Sequence, residues 1–280
     1  MMQRSTQWWT PSGVRLRRAS HRPGRWNWLF VPGGPGLGSE SLLGLVRAAE
    51  VPGTAWLLDL PGDGSNRGLP AVPRDPYARW PDVLVEAAEA LSDVVVVGHS
   101  TGGMFLLSVP ALAPHLAGLA LVDSAPHAGW RDSFAAYADT HPCPEAAAAA
   151  TAHARHPTDA SLRALTLAAA PWNFTPDSLA EGRSLLAGLP YNHAATAWAD
   201  QHFDDAYEAR WAPRGLPTLI VSGAEDRVVD QHLWREEPAF NGPETHHRVI
   251  EGAGHFPWIE NPDAIRSAFA DLTVRLRGMP

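Results

Sequence analysis

The chain has 280 residues, 45% of them apolar and 19% charged, which are globular values and exclude wholesale disorder. The balance of 22 basic against 30 acidic residues leaves a net charge of −8 and disfavours a nucleic-acid groove or an anionic membrane as partner. Every basic side chain among those 22 is arginine. The absence of lysine removes P-loop NTPases, Schiff-base enzymes and pyridoxal-phosphate enzymes, since each needs a lysine amine. A single cysteine, Cys143, rules out an internal disulfide and a cysteine-based metal cluster.

The predicted elements begin with an antiparallel hairpin, residues 7–10 and 14–19 around the turn Pro11-Ser12-Gly13. A strand over 26–31 ends in Pro32-Gly33-Gly34-Pro35-Gly36, and 41–49 has helical spacing with Ser39 as its expected N-cap. Next come a buried strand at 55–60, a helix over 77–91 interrupted by Pro81, and a four-valine strand at 94–97. Residues 101–116 read as a helix bent at Pro110, and 119–122 as another strand. From about 125 to 212 the chain is alanine-rich and helical, with no strong strand. Alternation then resumes with a strand at 218–222, a helical stretch at 232–240 and a last strand at 248–251. Asn261 caps a closing helix that Pro262 opens and that runs to about 277.

Continuous apolar strands alternating with helices imply an α/β fold, a mostly parallel central sheet covered on both faces. Length and pattern together predict one core, residues 1–124 and 213–280, with residues 125–212 as a helical insertion. The opening residues lack the apolar region of an export leader. No stretch approaches the ~18 apolar residues of a membrane span. The expectation is a cytoplasmic protein, with no oligomeric state assigned.

The strongest chemical signal is Val94-Val95-Val96-Val97-Gly98-His99-Ser100-Thr101-Gly102-Gly103. A buried strand runs through Gly-x-Ser-x-Gly into a helix, so the turn is tight, its flanks must be small, and Ser100 is strained with its hydroxyl presented at a helix N-terminus. A nucleophilic serine needs a base, and the base needs an orienting carboxylate. His255, alone among 13 histidines, sits in a Gly-flanked loop between the last strand and the last helix. Asp226 lies just past the strand 218–222 and is the favoured acid; Asp123, ending the strand 119–122, is its rival.

Acyl transfer also requires two N–H donors for an oxyanion. The N–H of Thr101 and that of Gly34 are the expected pair, with Gly33 supporting. A rival reading of that loop exists: Gly34-Pro35-Gly36-Leu37-Gly38, with Asp59 ending the next strand, imitates a dinucleotide fingerprint. Its spacing is Gly-x-Gly-x-Gly rather than Gly-x-Gly-x-x-Gly, and Pro35 removes an N–H from it.

The combination resembles the α/β-hydrolase superfamily over residues 5 to 277. Gly33-Gly34-Pro35-Gly36 is similar to the His-Gly-Gly-Pro-Gly loop of proline iminopeptidase-like hydrolases, with Pro32 where that family usually has His. Gly254-His255-Phe256-Pro257 with Glu260-Asn261-Pro262 looks like the histidine loop and final-helix start of cap-bearing members. The turn Asp59-Leu60-Pro61-Gly62-Asp63-Gly64-Ser65 resembles one that is structural in the family, so Asp59 and Asp63 are left out of the site. The nucleophile turn Gly-His-Ser-Thr-Gly-Gly differs from the Gly-Gly-Ser-Trp-Gly of proline iminopeptidases.

The resemblance implies a cap that shapes the substrate pocket. Trp130 and Trp198 in the cap, and Trp258 behind His255, are expected walls for an apolar or aromatic group. Asp204, in the acidic cluster of Asp200, Asp205 and Glu208, is the expected specificity carboxylate of an aminopeptidase-like member. The resulting expectation is a serine hydrolase acting on an ester or amide of a small molecule, with catalytic Ser100, Asp226 and His255. It needs no cofactor and no metal, and no nucleic acid or membrane partner. Same-fold alternatives are an aminopeptidase, a carbon–carbon bond hydrolase and an acyltransferase. From other classes come a receptor-like ligand-binding module with little turnover and an NAD(P) oxidoreductase.

Overall fold

The computed structural model describes residues 6–68 and 75–278. Residues 1–5, part of the stretch read above for an export leader, lie outside them. Among the described residues, no helix is long and apolar enough to cross a membrane.

The chain opens on β1 (Gln7–Trp9) and β2 (Arg15–Arg22), an antiparallel hairpin as the turn residues require. Then follow β3 (Asn27–Val31), α1 (Leu43–Ala49), β4 (Gly53–Asp59), α2 (Trp80–Glu89), β5 (Val94–His99), α3 (Thr101–Leu107) and β6 (Leu116–Val122). Six helices come next: α4 (Trp130–Thr140), α5 (Pro144–Arg155), α6 (Asp159–Ala168), α7 (Ala170–Asn173), α8 (Leu179–Ala187) and α9 (His193–His202). Strand β7 (Thr218–Gly223), α10 (Leu233–Glu236), β8 (Thr245–Ile250), α11 (Pro257–Glu260) and α12 (Pro262–Arg277) complete the order.

The strands form one eight-stranded sheet in the order β1-β2-β4-β3-β5-β6-β7-β8. Strand β2 runs antiparallel to β4, and the six strands from β4 to β8 are parallel. Period-two alternation divides the core. Trp28, Phe30, Val95, Val97, Ala120 and Val122 face α1 and α12 on one side, while Leu29, Val31, Val94, Val96, Leu119 and Leu121 face α2 and α3 on the other. Burial on both faces is why these strands read as continuous apolar runs.

Three local differences from the sequence reading have physical causes. Ser39 is not an N-cap: residues Ser39–Leu42 form a 3-10 turn ahead of α1, and the Ser39 hydroxyl donates to the buried carboxylate of Asp59. The helix over 101–116 stops at Leu107 and resumes as a 3-10 turn, Pro110–His115, because Pro110 has no N–H to continue the ladder. The last strand starts at Thr245 rather than 248; as a half-exposed edge strand it lacks the apolar run that marks a buried one. The closing helix starts where predicted, with the Asn261 side chain accepting from the N–H of Ala264 at 3.2 Å.

Candidate active site

Chain order reverses at the sheet centre, where β4 lies on one side of β3 and β5 on the other. Loops leaving the C-terminal ends of β3 and β5 therefore diverge and open a crevice, the position at which α/β sheets bind ligands. The loop 32–38 follows β3, and Ser100 follows β5. Asp123, Asp226 and His255 follow β6, β7 and β8 at the same edge.

Ser100 adopts φ 50°, ψ −128°, a backbone region that non-glycine residues occupy only under external constraint. The constraint is visible in its neighbours. An added Cβ at Gly98 would lie 2.5 Å from the backbone of Gly103. One at Gly102 would collide with the carbonyl oxygens of Val31 and Pro32, and one at Gly33 would reach 2.7 Å from the Ser100 Cβ. The Gly-His-Ser-Thr-Gly-Gly composition is thus the steric condition for folding β5 onto α3 with Ser100 at the apex.

His255 is 4% exposed. Its Nδ1 lies 3.0 Å from Asp226 Oδ2, and its backbone N–H donates to the carbonyl of Asn173 at 2.9 Å. Asp226 is held by its own loop: Oδ1 accepts from the N–H groups of Val228 and Val229 at 2.9 and 3.1 Å, and Oδ2 also accepts from Gln231 Nε2 at 3.1 Å. Between the two competing acids, the His255 hydrogen bond belongs to Asp226. Asp123 instead accepts the N–H of Gly223 at 2.7 Å.

His99, beside the serine, is buried. Its Nε2 lies 2.9 Å from the His255 carbonyl oxygen, so it carries the proton and donates. Burial first, and then the neighbouring His255, push the His99 imidazole well below its ordinary pKa. It is a neutral brace for the His255 backbone.

The N–H of Thr101 is at the first position of α3 and has no intrahelical acceptor to turn to. Gly34 is exposed, with φ +117°. Its loop is fixed from beneath and above. The Gly36 N–H donates to Asp63 Oδ2 at 3.3 Å, its carbonyl accepts the N–H of Asn192 at 2.8 Å, and Thr196 Oγ1 donates to the Pro35 carbonyl at 2.8 Å. An added Cβ at Gly36 would meet the Asn192 carbonyl at 2.5 Å and the Thr196 hydroxyl at 2.6 Å, so the start of α9 packs directly against the loop.

The expected wall residues are dispersed. Trp130 packs with Met104, Ala125, Phe203, Tyr207 and Val228 in a small apolar cluster one helical turn beyond Ser100. Trp198 lies on α9 against Trp80 and Tyr77, with ring centroids 6.0 and 6.3 Å away. Trp258 is 3% exposed, edge-on to His99 at 4.8 Å and under Gly44. Asp204 is largely buried. Arg131 reaches it at 3.5 Å and also pairs with Asp200 and Asp205 at 3.2 and 2.9 Å. Burial outweighs that pairing and raises the Asp204 carboxyl to about 6. A cavity of about 600 Å3 lies between Tyr137 of α4 and the β7 loop, with Asp226, Arg227, Asp230 and Arg235 in its lining.

Sequence reasoning passed over three residues of this arrangement. Asn173 touches the site through its backbone carbonyl, and Asn192 through its backbone N–H and its side-chain amide; the partners lie far along the chain, so neither contact leaves a local signature. Glu260 accepts from the N–H of Gly254 at 2.6 Å and of Thr175 at 2.7 Å. Its one available signal was its place in Glu260-Asn261-Pro262, read there only as a helix start.

Similarity to known proteins agrees with the topology. The chain is 27% identical to a pimeloyl-[acyl-carrier protein] methyl ester esterase of Xanthomonas oryzae pv. oryzae (strain MAFF 311018), covering 76% of this chain and 81% of that one. A proline iminopeptidase-related protein from Thermus thermophilus superposes with TM-score 0.72 at 20% identity, covering 98% of both chains. An esterase from Thermogutta terrifontis gives TM-score 0.68 at 17% identity, over 97% of this chain and 99% of that one. The family model described as "Alpha/beta hydrolase family" matches residues 28–268, and this chain belongs to that family.

Proposed function

We propose that the protein is a serine hydrolase that cleaves a carboxylic ester through an acyl-enzyme. The observation that carries the reading is the strained Ser100 at the start of α3, on the same sheet edge as a buried His255–Asp226 hydrogen bond of 3.0 Å. In this reading Nδ1–H of His255 donates to Asp226, which leaves the Nε2 lone pair to take the Ser100 hydroxyl proton. The Ser100 oxygen forms a bond to the ester carbon, and the N–H groups of Thr101 and Gly34 hold the resulting oxyanion. Collapse breaks the bond to the alkoxy oxygen, which leaves as alcohol with the proton from His255. Water, deprotonated by the same imidazole, then releases the acid and restores Ser100. Losing one oxyanion donor costs on the order of 3 kcal/mol of barrier.

Two observations favour an ester over an aminoacyl amide. The similar protein from Xanthomonas is named for a methyl ester. The acidic cluster that would hold a substrate ammonium is engaged by Arg131, which contacts Asp200, Asp204 and Asp205. In the same proposal residues 125–212 act as a cap on the core of residues 1–124 and 213–280. The cluster around Trp130 and Met104 then supplies an apolar wall next to the nucleophile.

Intact mass after reaction with a fluorophosphonate tests the nucleophile. A single adduct on the parent and none on Ser100→Ala is expected. Matched panels of 4-nitrophenyl and methyl esters against aminoacyl amides then test the bond, with esters turned over faster. A folded parent that takes no adduct would overturn the proposal.

A further inference from the structure

We propose that Asp123 is a positioning residue that donates a hydrogen bond from its carboxyl hydroxyl to the carboxylate of Asp226. The inference rests on the triad reading above and adds to it a second carboxyl, which the hydrolysis itself does not use.

Asp123 is 0% exposed and ends β6 in a left-handed conformation, φ 45°. Its backbone N–H donates to the Val221 carbonyl at 2.9 Å, and its Oδ1 accepts the Gly223 N–H at 2.7 Å. Both bonds tie it to the strand that carries Asp226 three residues later. Its other oxygen, Oδ2, is buried with no partner among the described residues. A bare carboxylate oxygen in that position would forfeit its solvation without return.

The surroundings make ionisation costly. The acidic groups acting on Asp123 are Asp226 from the β7 loop and, more weakly, Glu260 from α11. His255, before α11, gives its Nδ1 to Asp226 and not to Asp123. The neutral His99 of β5 brings no charge, and among the described residues no arginine pairs with Asp123. Burial, with Asp226 alongside, holds the Asp123 carboxyl well above the ordinary carboxylate range. Oδ1 is engaged as an acceptor, so the proton resides on Oδ2, and the side chain in hydrogen-bonding contact with Asp123 is that of Asp226. Asp226 would then receive this bond besides those from Val228, Val229, Gln231 and His255. The added bond would fix its plane toward His255. Raising the pH would strip the proton, set two anions against each other in a dry site, and push Asp226 off His255.

The experiment compares the parent with Asp123→Asn, Asp123→Ala and Asp226→Asn. The readouts are the pH dependence of Ser100 phosphonylation by a fluorophosphonate and the infrared difference spectrum of parent minus Asp123→Asn at neutral pH. An asparagine amide can donate to Asp226 and accept from Gly223 but cannot ionise. Asp123→Asn is therefore expected to react within about twofold of the parent and to lose the parent's alkaline decline. Asp123→Ala should slow by on the order of tenfold. The difference spectrum should contain the carbonyl stretch of a neutral carboxyl. A parent spectrum without that band, or an alkaline decline unchanged in Asp123→Asn, overturns the inference while leaving the triad standing. An Asp226→Asn protein that reacts as fast as the parent removes the triad reading, and this inference with it.

Discussion

The backbone N–H of His255 donates to the carbonyl oxygen of Asn173, 2.9 Å away. This contact ties the loop of the candidate base to α7, in the helical segment between β6 and β7. The approach is so close that a Cβ on Gly254 would come within 2.7 Å of the same oxygen. Glu260 completes the clamp by accepting from Gly254 on one side and Thr175 on the other. The segment that would cover the serine therefore also sets the position of His255.

Removing that clamp should loosen the His255 loop. Glu260→Ala leaves two N–H groups without their carboxylate and is expected to cost about 1–3 kcal/mol of stability. It should lower kcat for ester hydrolysis more than it changes KM, because the imidazole is displaced and not the substrate contacts. Glu260→Gln, which keeps one acceptor oxygen, should fall between. Urea unfolding and steady-state kinetics on a 4-nitrophenyl ester check both, and an unchanged kcat in a destabilised Glu260→Ala would reject the coupling.

Asn192 does for the loop 32–38 what Asn173 does for the loop of the candidate base. Its amide donates to the Gly62 carbonyl at 2.8 Å and to Asp63 at 3.0 Å, while its backbone N–H holds Gly36. Asp63 is fully buried, and burial raises its carboxyl above the usual range against the pull of its donors from Gly64, Asn192 and Gly36. Asn192→Ala should therefore cost on the order of 1–3 kcal/mol and reduce the rate of Ser100 acylation. Thermal unfolding and burst kinetics are the measurements.

The strain at Ser100 is separable from its chemistry. Glycine accepts φ 50°, ψ −128° more readily than a residue with a Cβ. Ser100→Gly is therefore expected to be more stable than Ser100→Ala by about 1 kcal/mol, although both lack the hydroxyl. Equal urea midpoints for the two variants would mean that the turn stores no strain.

Asp204 gives a pH signature. Its carboxyl is raised to about 6, chiefly by burial and then by Asp200 and Asp205 working against Arg131. The folded state thus binds this proton more tightly than the unfolded chain does. The associated stability is complete below about pH 4 and is lost as the pH rises through about 6. Asp204→Asn should be close to neutral at pH 4 and stabilising by on the order of 1–3 kcal/mol at pH 8. Denaturation midpoints at the two pH values decide it; a variant destabilised at pH 8 would show that the Arg131 pairing dominates.

What the sequence determined by itself was whatever is local. The valine run of β5, the small residues around Ser100 and the start of α3 form one continuous stretch, so a tight strand-turn-helix follows from steric rules alone. The Asn261 cap and Pro262 are equally short-range. Alternation of apolar runs identified the parallel sheet because strands buried on both faces need nothing distant to be recognised. Ser39 shows the limit: it has the chemistry of a cap, yet a carboxylate 20 residues away takes its hydroxyl.

The tertiary structure alone decided which acid meets His255 and what stands behind it. Asp123 and Asp226 are about a hundred residues apart and become neighbours because β6 and β7 pair directly, with six helices folded out between them. Asn173, Asn192 and Glu260 enter the site the same way, through backbone groups or a helix end whose position depends on the packing of the segment 125–212. Spacing along a chain encodes one turn of structure. Adjacency across a sheet is set by strand order, and that emerges only when both faces of the sheet have been buried.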